Sequence, residues 1–417
     1  MRSTDWNQPL SSLADSCDVL VVGAGPAGSA CAKLLAHAGR QVVMVEAQRF
    51  PRDKVCGDGL VPDAHDALRR LGVHAEVMRL ARPVAAARCV APSGSFVDVA
   101  GELAVLPRRV LDALLCRAAL QAGATMAAPV RFVAPLMDAD GRVRGATLTD
   151  GVLTREISAV WVVLATGALP GAMLAADLCR RRSPSGMALR THVHHAGMTT
   201  ELAEMRFVWH RQLAGGYGWI FPGPGGVFNI GVGKLDGREQ PSRFLPWRRQ
   251  GPNLREMFDA FLRIDPLAAR LMREGEQLGD LKGAPLRCDL TGADWSRPGL
   301  LVTGEAAGAT YSFTGEGIGK AMETGMAAAD ALLAHAGDTD TRAVEQDYST
   351  SLQALLPRFK TYRQAGSFNR LPWLVSLVIW RARHSPRLNA KLSEVLSEKR
   401  LPGSLLTLRG LRSMLQR

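Results

Sequence analysis

Three glycines and one acid in this chain have the types and spacing that hold a phosphate-bearing cofactor. Gly23, Gly25 and Gly28 form GxGxxG directly after the apolar run Val19 to Val22, and Glu46 follows a second apolar run, Val42 to Val45. In such a unit the first glycine permits a tight turn, the second lets a pyrophosphate approach the backbone, and the third lets the helix lie close on the sheet. Pro26 and Ala27 open that helix, whose N-terminal N–H groups and partial positive charge face the phosphates. Glu46, with Ala47 beside it, can accept hydrogen bonds from a ribose. Strand, turn, helix, second strand and acid stand in the order that dinucleotide binding requires.

A second group of residues has the pattern of a cavity wall. Tyr217, Trp219 and Phe221 alternate through a strand-like stretch, so they share one face. Beside a flat cofactor such a face is an apolar wall for a prenyl chain or an aromatic ring. His192 and His194 share a face as a metal pair would, with His195 next to them, yet no third residue has suggestive ligand spacing. They are read as cavity or surface histidines, and no metal site is expected.

The elements that must position these residues follow from periodicity and turn residues. Strands are expected at 18–22, 41–45, 96–99, 130–137, 143–149, 160–165, 227–233 and 300–303. Helices are expected at 27–38, 62–72, 108–122, 254–273, 317–334, 342–364 and 387–399. The fold class is α/β, and 417 residues are enough for two or three domains.

Three longer segments carry a resemblance. PRDKVCGDGL (Pro51 to Leu60), GGYGWIFPGPGGVFNIGVG (Gly215 to Gly233) and LLVTGEAAGATYSFTGEGIGKAMETG (Leu300 to Gly325) resemble the geranylgeranyl reductase-like branch of FAD-dependent oxidoreductases. That branch sits in the fold group of aromatic hydroxylases and flavin-dependent halogenases. The resemblance spans residues 17 to 335. It implies FAD as cofactor and a Rossmann-like FAD-binding domain of the glutathione reductase and PHBH-like type. That domain would be discontinuous, built from 15–80, 105–175 and 290–337. An inserted antiparallel sheet, from 81–104 and 176–289, would carry the substrate cavity. A basic helical C-terminal module would cover 338–417, its start marked by GDTDT (Gly337 to Thr341).

The resemblance also implies roles. Cys56-Gly57 would lie beside the flavin, where the thiol donates a proton or tunes flavin reactivity; the alternative is a small buried residue in a tight turn. Lys54 and Arg52 would lower the thiol's pKa, and Asp58 would position the loop or the cofactor. Tyr217 is a second proton source, and Trp219, Phe221 and Pro222 belong to the cavity motif. Gly304 and Glu305 stand where the family has Gly-Asp, so a carboxylate one methylene longer would hold the ribitol or a ribose hydroxyl. Gly315, Gly317 and Ile318 open a helix whose N–H groups would stabilise negative charge on a reduced flavin. Arg108, four residues before Asp112, matches an FAD-contacting arginine, with Arg109 as its competitor. Thr166-Gly167 replaces the fold group's Asp-Gly, which weighs against tight nicotinamide docking. The reductant is then transient NAD(P)H or another donor, such as a separate reductase.

Composition bounds the rest. Seven cysteines, odd in number and without a CxxC pair, fit neither a disulfide framework nor a zinc site. The N-terminus has no apolar signal core, so a cytoplasmic protein is expected. Of the net charge of +12, most lies from Arg342 to Arg417, where 14 Lys or Arg face 4 Asp or Glu. Within that tail LPWLVSLVIW (Leu371 to Trp380) is too short to span a bilayer, which takes about 20 residues. Residues 368–417 suit a peripheral membrane surface, on the inner face, or else an ordinary buried helix. Nothing supports nucleic acid. The expected function is FAD-dependent reduction of C=C bonds in a prenyl or other hydrophobic substrate. The alternative is a monooxygenase, a hydroxylase or epoxidase, acting on an aromatic or polyketide-type metabolite. Halogenation is disfavoured because YGWIFP only partly matches WxWxIP. A non-catalytic flavin-bound membrane adaptor is the third reading.

Overall fold

The computed structural model describes residues 6–235, 253–336, 341–366 and 372–401. Two sheets organise them. In the first, Ser16–Val22 runs parallel to Val42–Val45 on one side and Thr154–Leu164 on the other. Thr125–Ala127 and Leu300–Val302 extend the parallel set outward. Helices Pro26–His37, Arg108–Gln121 and Ile318–Ala334 pack on one face, and Val143, Ala146, Leu148 and Ile157 of antiparallel strands pack on the other, which is why Val19 to Val22 and Val42 to Val45 are continuously apolar rather than alternating. The first half of Thr154–Leu164 leaves the parallel set and pairs with Val143–Thr149, which pairs with Arg131–Met137.

Pro26–His37 and Ile318–Ala334, the helices that follow the two glycine-rich segments, pack directly on one another. Gly325 permits the approach: a Cβ there would lie 2.2 Å from the Ala27 carbonyl oxygen. Two segments from opposite ends of the chain thus meet backbone to backbone.

The second sheet has nine strands. Gly186–His194, Val227–Lys234, Gly216–Pro222 and Met205–Val208 pair antiparallel in that order. Met205–Val208 then runs parallel to Arg82–Val90, which pairs with Phe96–Val105. One face, with Ile220, Phe228 and Ile230, packs on Phe258 and Phe261 of the helix Leu254–Ile264. Alternation turns Tyr217, Trp219 and Phe221 to the opposite face.

Two expectations need correction. A single helix over 254–273 is instead Leu254–Ile264 followed by Pro266–Glu274. Asp265 is extended between them, as a residue before proline prefers, and its carboxylate caps the second helix by accepting from the Ala268 N–H at 2.9 Å. The residues expected as one C-terminal module are divided between the two cores. Tyr348, Leu352, Phe359 and Tyr362 of Thr341–Ala365 pack with the first sheet, whereas Val375, Ile379 and Leu388 pack with the second. Most of the GDTDT stretch, and residues 368–371 and 402–417 of the tail, lie outside the described residues. No helix among the described residues is long and apolar enough to cross a membrane.

Candidate functional site

A cavity of about 830 Å³ lies between the sheets, lined from both. At one end it meets the turn of Gly23 and Gly25 and the first helical residues Pro26 and Ala27. Gly23 adopts φ 106°, a left-handed value, and Gly28 lies so close that a Cβ would sit 1.8 Å from the Gly23 carbonyl oxygen. Gly28 therefore acts in packing and does not itself line the cavity. Neither Gly25, before this helix, nor Gly317, before Ile318–Ala334, supplies a side-chain cap. Both helices therefore keep uncapped N–H donors at the cavity, as an anionic cofactor needs.

Charge at this end is closely balanced. Arg108 grips Asp112 through two hydrogen bonds, at 2.7 and 2.9 Å, and Arg52 donates to the same carboxylate at 2.8 Å. Arg52 also lies 3.3 Å from Glu46, whose Oε2 accepts from the Ala24 N–H at 3.1 Å. Glu46 thereby ties the second strand to the glycine turn. Ala47 lines the cavity beside it. Between the competing arginines, Arg108 is buried and lines the cavity, while Arg109 is exposed.

Cys56 and Gly57 line the cavity where the aromatic wall begins. Gly57 lies flat on that wall, where a Cβ would be 3.0 Å from the Phe221 ring. The loop is held by Asp58, a buried residue at φ 64°. Asp58 Oδ1 accepts from the Arg108 N–H at 3.1 Å. Its Oδ2 is 2.7 Å from His192 Nε2 and accepts from the Asn229 side chain at 2.7 Å. Asn229 also donates to the Cys56 carbonyl at 2.7 Å and accepts from the Trp219 indole at 2.8 Å. Arg190, two residues before His192 on the same strand face, donates to Asp53 at 2.6 Å and to the Lys54 carbonyl at 3.1 Å. The roof strands thus clamp the cysteine loop by side chains that strand alternation aims at it.

The cysteine's expected electrostatics are corrected. Arg52 is engaged by Glu46 and Asp112, and Lys54 Nζ lies 3.6 Å from Glu305. Burial dominates and raises the Cys56 pKa, with the Arg108 charge opposing it. The thiol is therefore neutral at neutral pH.

Tyr217, Trp219 and Phe221 form the wall, with successive ring centroids 6.2 Å apart. Phe207 joins at 4.9 Å from Phe221. Burial raises the Tyr217 pKa, and its hydroxyl donates to the Thr314 carbonyl. Pro222 falls on the strand's other face and does not line the cavity. From the second glycine-rich segment Glu305, Gly315, Gly317 and Ile318 line it. Gly304 does not; its N–H donates to Thr324 at 3.0 Å and its Cα packs against Ala27. Thr166 and Gly167 do line it, so the position of the missing Asp-Gly faces the cofactor end.

Asn229, Arg190 and the Asp58–His192 contact escaped sequence reasoning. So did a group remote from the cavity, where His65 Nδ1 lies 3.0 Å from His74 Nε2 and Glu102 lies 3.8 Å from His65. Glu102 there also accepts from Arg69.

Known proteins share this chain's sequence and fold over most of its length. Residues 16–197 match the model of an FAD binding domain. The chain is 34% identical to the menaquinone reductase of Mycolicibacterium smegmatis, over 78% of each chain. It is 28% identical to the digeranylgeranylglycerophospholipid reductase of Methanoculleus marisnigri, over 75% of each. A geranylgeranyl bacteriochlorophyll reductase-like protein from Thermoplasma acidophilum superposes with a TM-score of 0.75, covering 96% of both chains at 21% identity. A flavin-dependent brominase does so with a TM-score of 0.71 at 18% identity, covering 96% of this chain and 100% of its own. These two likenesses concern the fold alone.

Proposed function

The chain belongs to the geranylgeranyl reductase-like FAD-dependent oxidoreductases, and from that premise we propose that it saturates C=C bonds in a prenyl-bearing lipid. One observation carries this reading: the cofactor end of the cavity runs without interruption into a wall of Tyr217, Trp219, Phe221 and Phe207. The uncapped N-terminus of Pro26–His37 and the Arg52–Arg108 pair are fitted to the phosphates of FAD, and Gly315 to Ile318, at the uncapped start of the second helix, to its ring end. Reduced FAD, when bound, supplies the hydride. The aromatic wall excludes water from an alkene that is a poor hydride acceptor. The Asp58 network fixes the cysteine loop against that wall and keeps a neutral thiol at the reaction space.

The test is anaerobic incubation of the chemically reduced, FAD-loaded protein with lipids carrying a geranylgeranyl or menaquinone-type chain. Each reacted bond is expected to add two hydrogens to the lipid mass. An aromatic substrate that instead gains an oxygen atom, in air only, replaces the reading with the monooxygenase. The electrons come from a nicotinamide nucleotide or a separate reductase.

A hydrophobic substrate also suits a membrane surface. In Pro372–Arg383, Trp373, Leu377 and Trp380 are exposed at helical spacing while Val375 and Ile379 are buried behind them. This outward apolar face, flanked by Arg381 and Arg383, supports peripheral attachment. Vesicles containing anionic lipid are expected to sediment the full chain, and a Trp373→Ala/Trp380→Ala variant is expected to stay in solution. Equal sedimentation of both would remove the membrane role.

A further inference from the structure

Saturating an alkene consumes one proton for each hydride, and the acids that line the cavity are not equally able to give one. The Tyr217 proton is directed to the Thr314 carbonyl. Glu305 faces Lys54 and Glu46 faces Arg52, so each carboxylate is already paired with a cation. The Cys56 thiol, raised by burial, is a weak acid. Glu316, two residues past Thr314 and between the cavity-lining Gly315 and Gly317, is differently placed.

Behind Glu316 lies a buried cluster with an excess of acid. Lys320 Nζ, almost fully buried, is shared by Asp63 at 3.5 Å, Glu323 at 2.7 Å and Glu398 at 2.9 Å. Arg358 also reaches Glu398, at 2.8 Å, and the Tyr311 hydroxyl donates to it at 2.9 Å. Both Asp63 oxygens are buried without a hydrogen-bond partner among the described residues. They lie against the Gly319 backbone so closely that a Cβ there would be 2.3 Å from the carboxyl carbon. With Glu316, four carboxylates meet two cations, and so many charges cannot all be ionised out of water.

We propose that Glu316 is the cavity's proton donor, refilled from solvent through the Asp63–Lys320–Glu398 cluster. The proposal rests on the C=C reductase reading. In the step, the Glu316 O–H bond breaks and a C–H bond forms at the alkene carbon opposite the one that takes hydride. The carboxylate left behind regains its proton from the cluster, whose Glu323 and Arg358 reach the surface. The pair of electrons comes from reduced FAD. Burial, with Asp63 and Glu398 adding to it and Lys320 opposing, raises the Glu316 pKa to about 8. That value lies close to neutrality, where a general acid works best. The other titratable groups facing this cluster are Tyr217, Tyr311, Tyr362, Glu323 and Arg358.

Infrared spectra of the oxidised, FAD-loaded full chain, titrated from mildly acidic to mildly alkaline pH, test the proton directly. A carboxylic C=O band present at neutral pH and lost near pH 8 is expected, absent in Glu316→Gln and kept in Cys56→Ser. Glu316→Gln is also expected to lower kcat on the order of 10²-fold, with KM and the rate of flavin reduction unchanged. Glu316→Asp is expected to recover part of kcat. No band in the wild type, a band that survives Glu316→Gln but not Asp63→Asn, or a kcat within twofold of wild type each overturns the donor role alone. A wild-type band without any prenyl reduction overturns the parent reading instead, and the donor role with it.

Discussion

Two ionic clusters flank the same cavity and are built on opposite principles. On the Gly23 side, Glu46 and Asp112 meet Arg52 and Arg108, two charges against two. On the Ile318 side, Asp63, Glu316, Glu323 and Glu398 meet Lys320 and Arg358, four against two. The balanced cluster gives every acid a cationic partner, so it holds geometry under a cofactor. The unbalanced one lowers its energy by keeping protons, so its state follows pH. Where charge is matched a protein gains a frame, and where it is not it gains a store.

The largest expected effect breaks the balanced side. Asp112→Ala leaves two guanidinium groups buried beside Glu46 with one carboxylate for both. Urea unfolding of the FAD-loaded protein should show a loss of about 3–5 kcal/mol, unchanged between mildly acidic and mildly alkaline pH. A loss that varies with pH would mean that this cluster also stores protons. A smaller effect reads the unbalanced side. Glu316 titrates at its ordinary 4.5 in the unfolded chain and near 8 in the fold. Between these values the fold keeps a proton that the unfolded chain has lost, so stability falls as pH rises, by at most about 1.4 kcal/mol per pH unit. The contribution is complete below the lower value and gone above the upper one. Glu316→Gln should flatten this slope, and an unchanged slope would place the proton elsewhere. The smallest effect sharpens the contrast at the exposed rim. Glu323→Gln removes a partly exposed partner of Lys320 and should cost under about 1 kcal/mol, measured by thermal unfolding. A larger cost would show that Lys320 depends on that rim.

The cofactor end was readable in the sequence because its signals are local. The turn, the two apolar runs and Glu46 fall within thirty residues, and Ser16–Val22, Pro26–His37 and Val42–Val45 lie where periodicity puts them. The aromatic face was readable for the same reason, since alternation needs one strand. The clamps on the cysteine loop were not. Arg190 to Asp53 and Asn229 to Asp58 join residues 137 and 171 apart, and no local pattern marks such a pair. Glu316 sat inside a segment noticed for its glycines, and its partners Asp63 and Glu398 come from remote elements. The cysteine's expected activation failed because nearness in sequence was taken for nearness of charge. Arg52 and Lys54 are adjacent to Cys56 in the chain but face other acids. The break at Asp265-Pro266 was written in the sequence, where a capping acid precedes a proline inside an apparently continuous helical pattern.

The contact of Gly325 with the Ala27 carbonyl has a consequence for anyone recombining this chain with its relatives. A crossover placed inside the roof exchanges strands that meet the cofactor half mainly through loops and side chains, and such a chimera should still close its nucleotide end. A crossover that swaps only the first glycine-rich helix, or only the last, asks two backbones from different parents to mesh where no side chain can cushion a mismatch. Those two segments should be exchanged together.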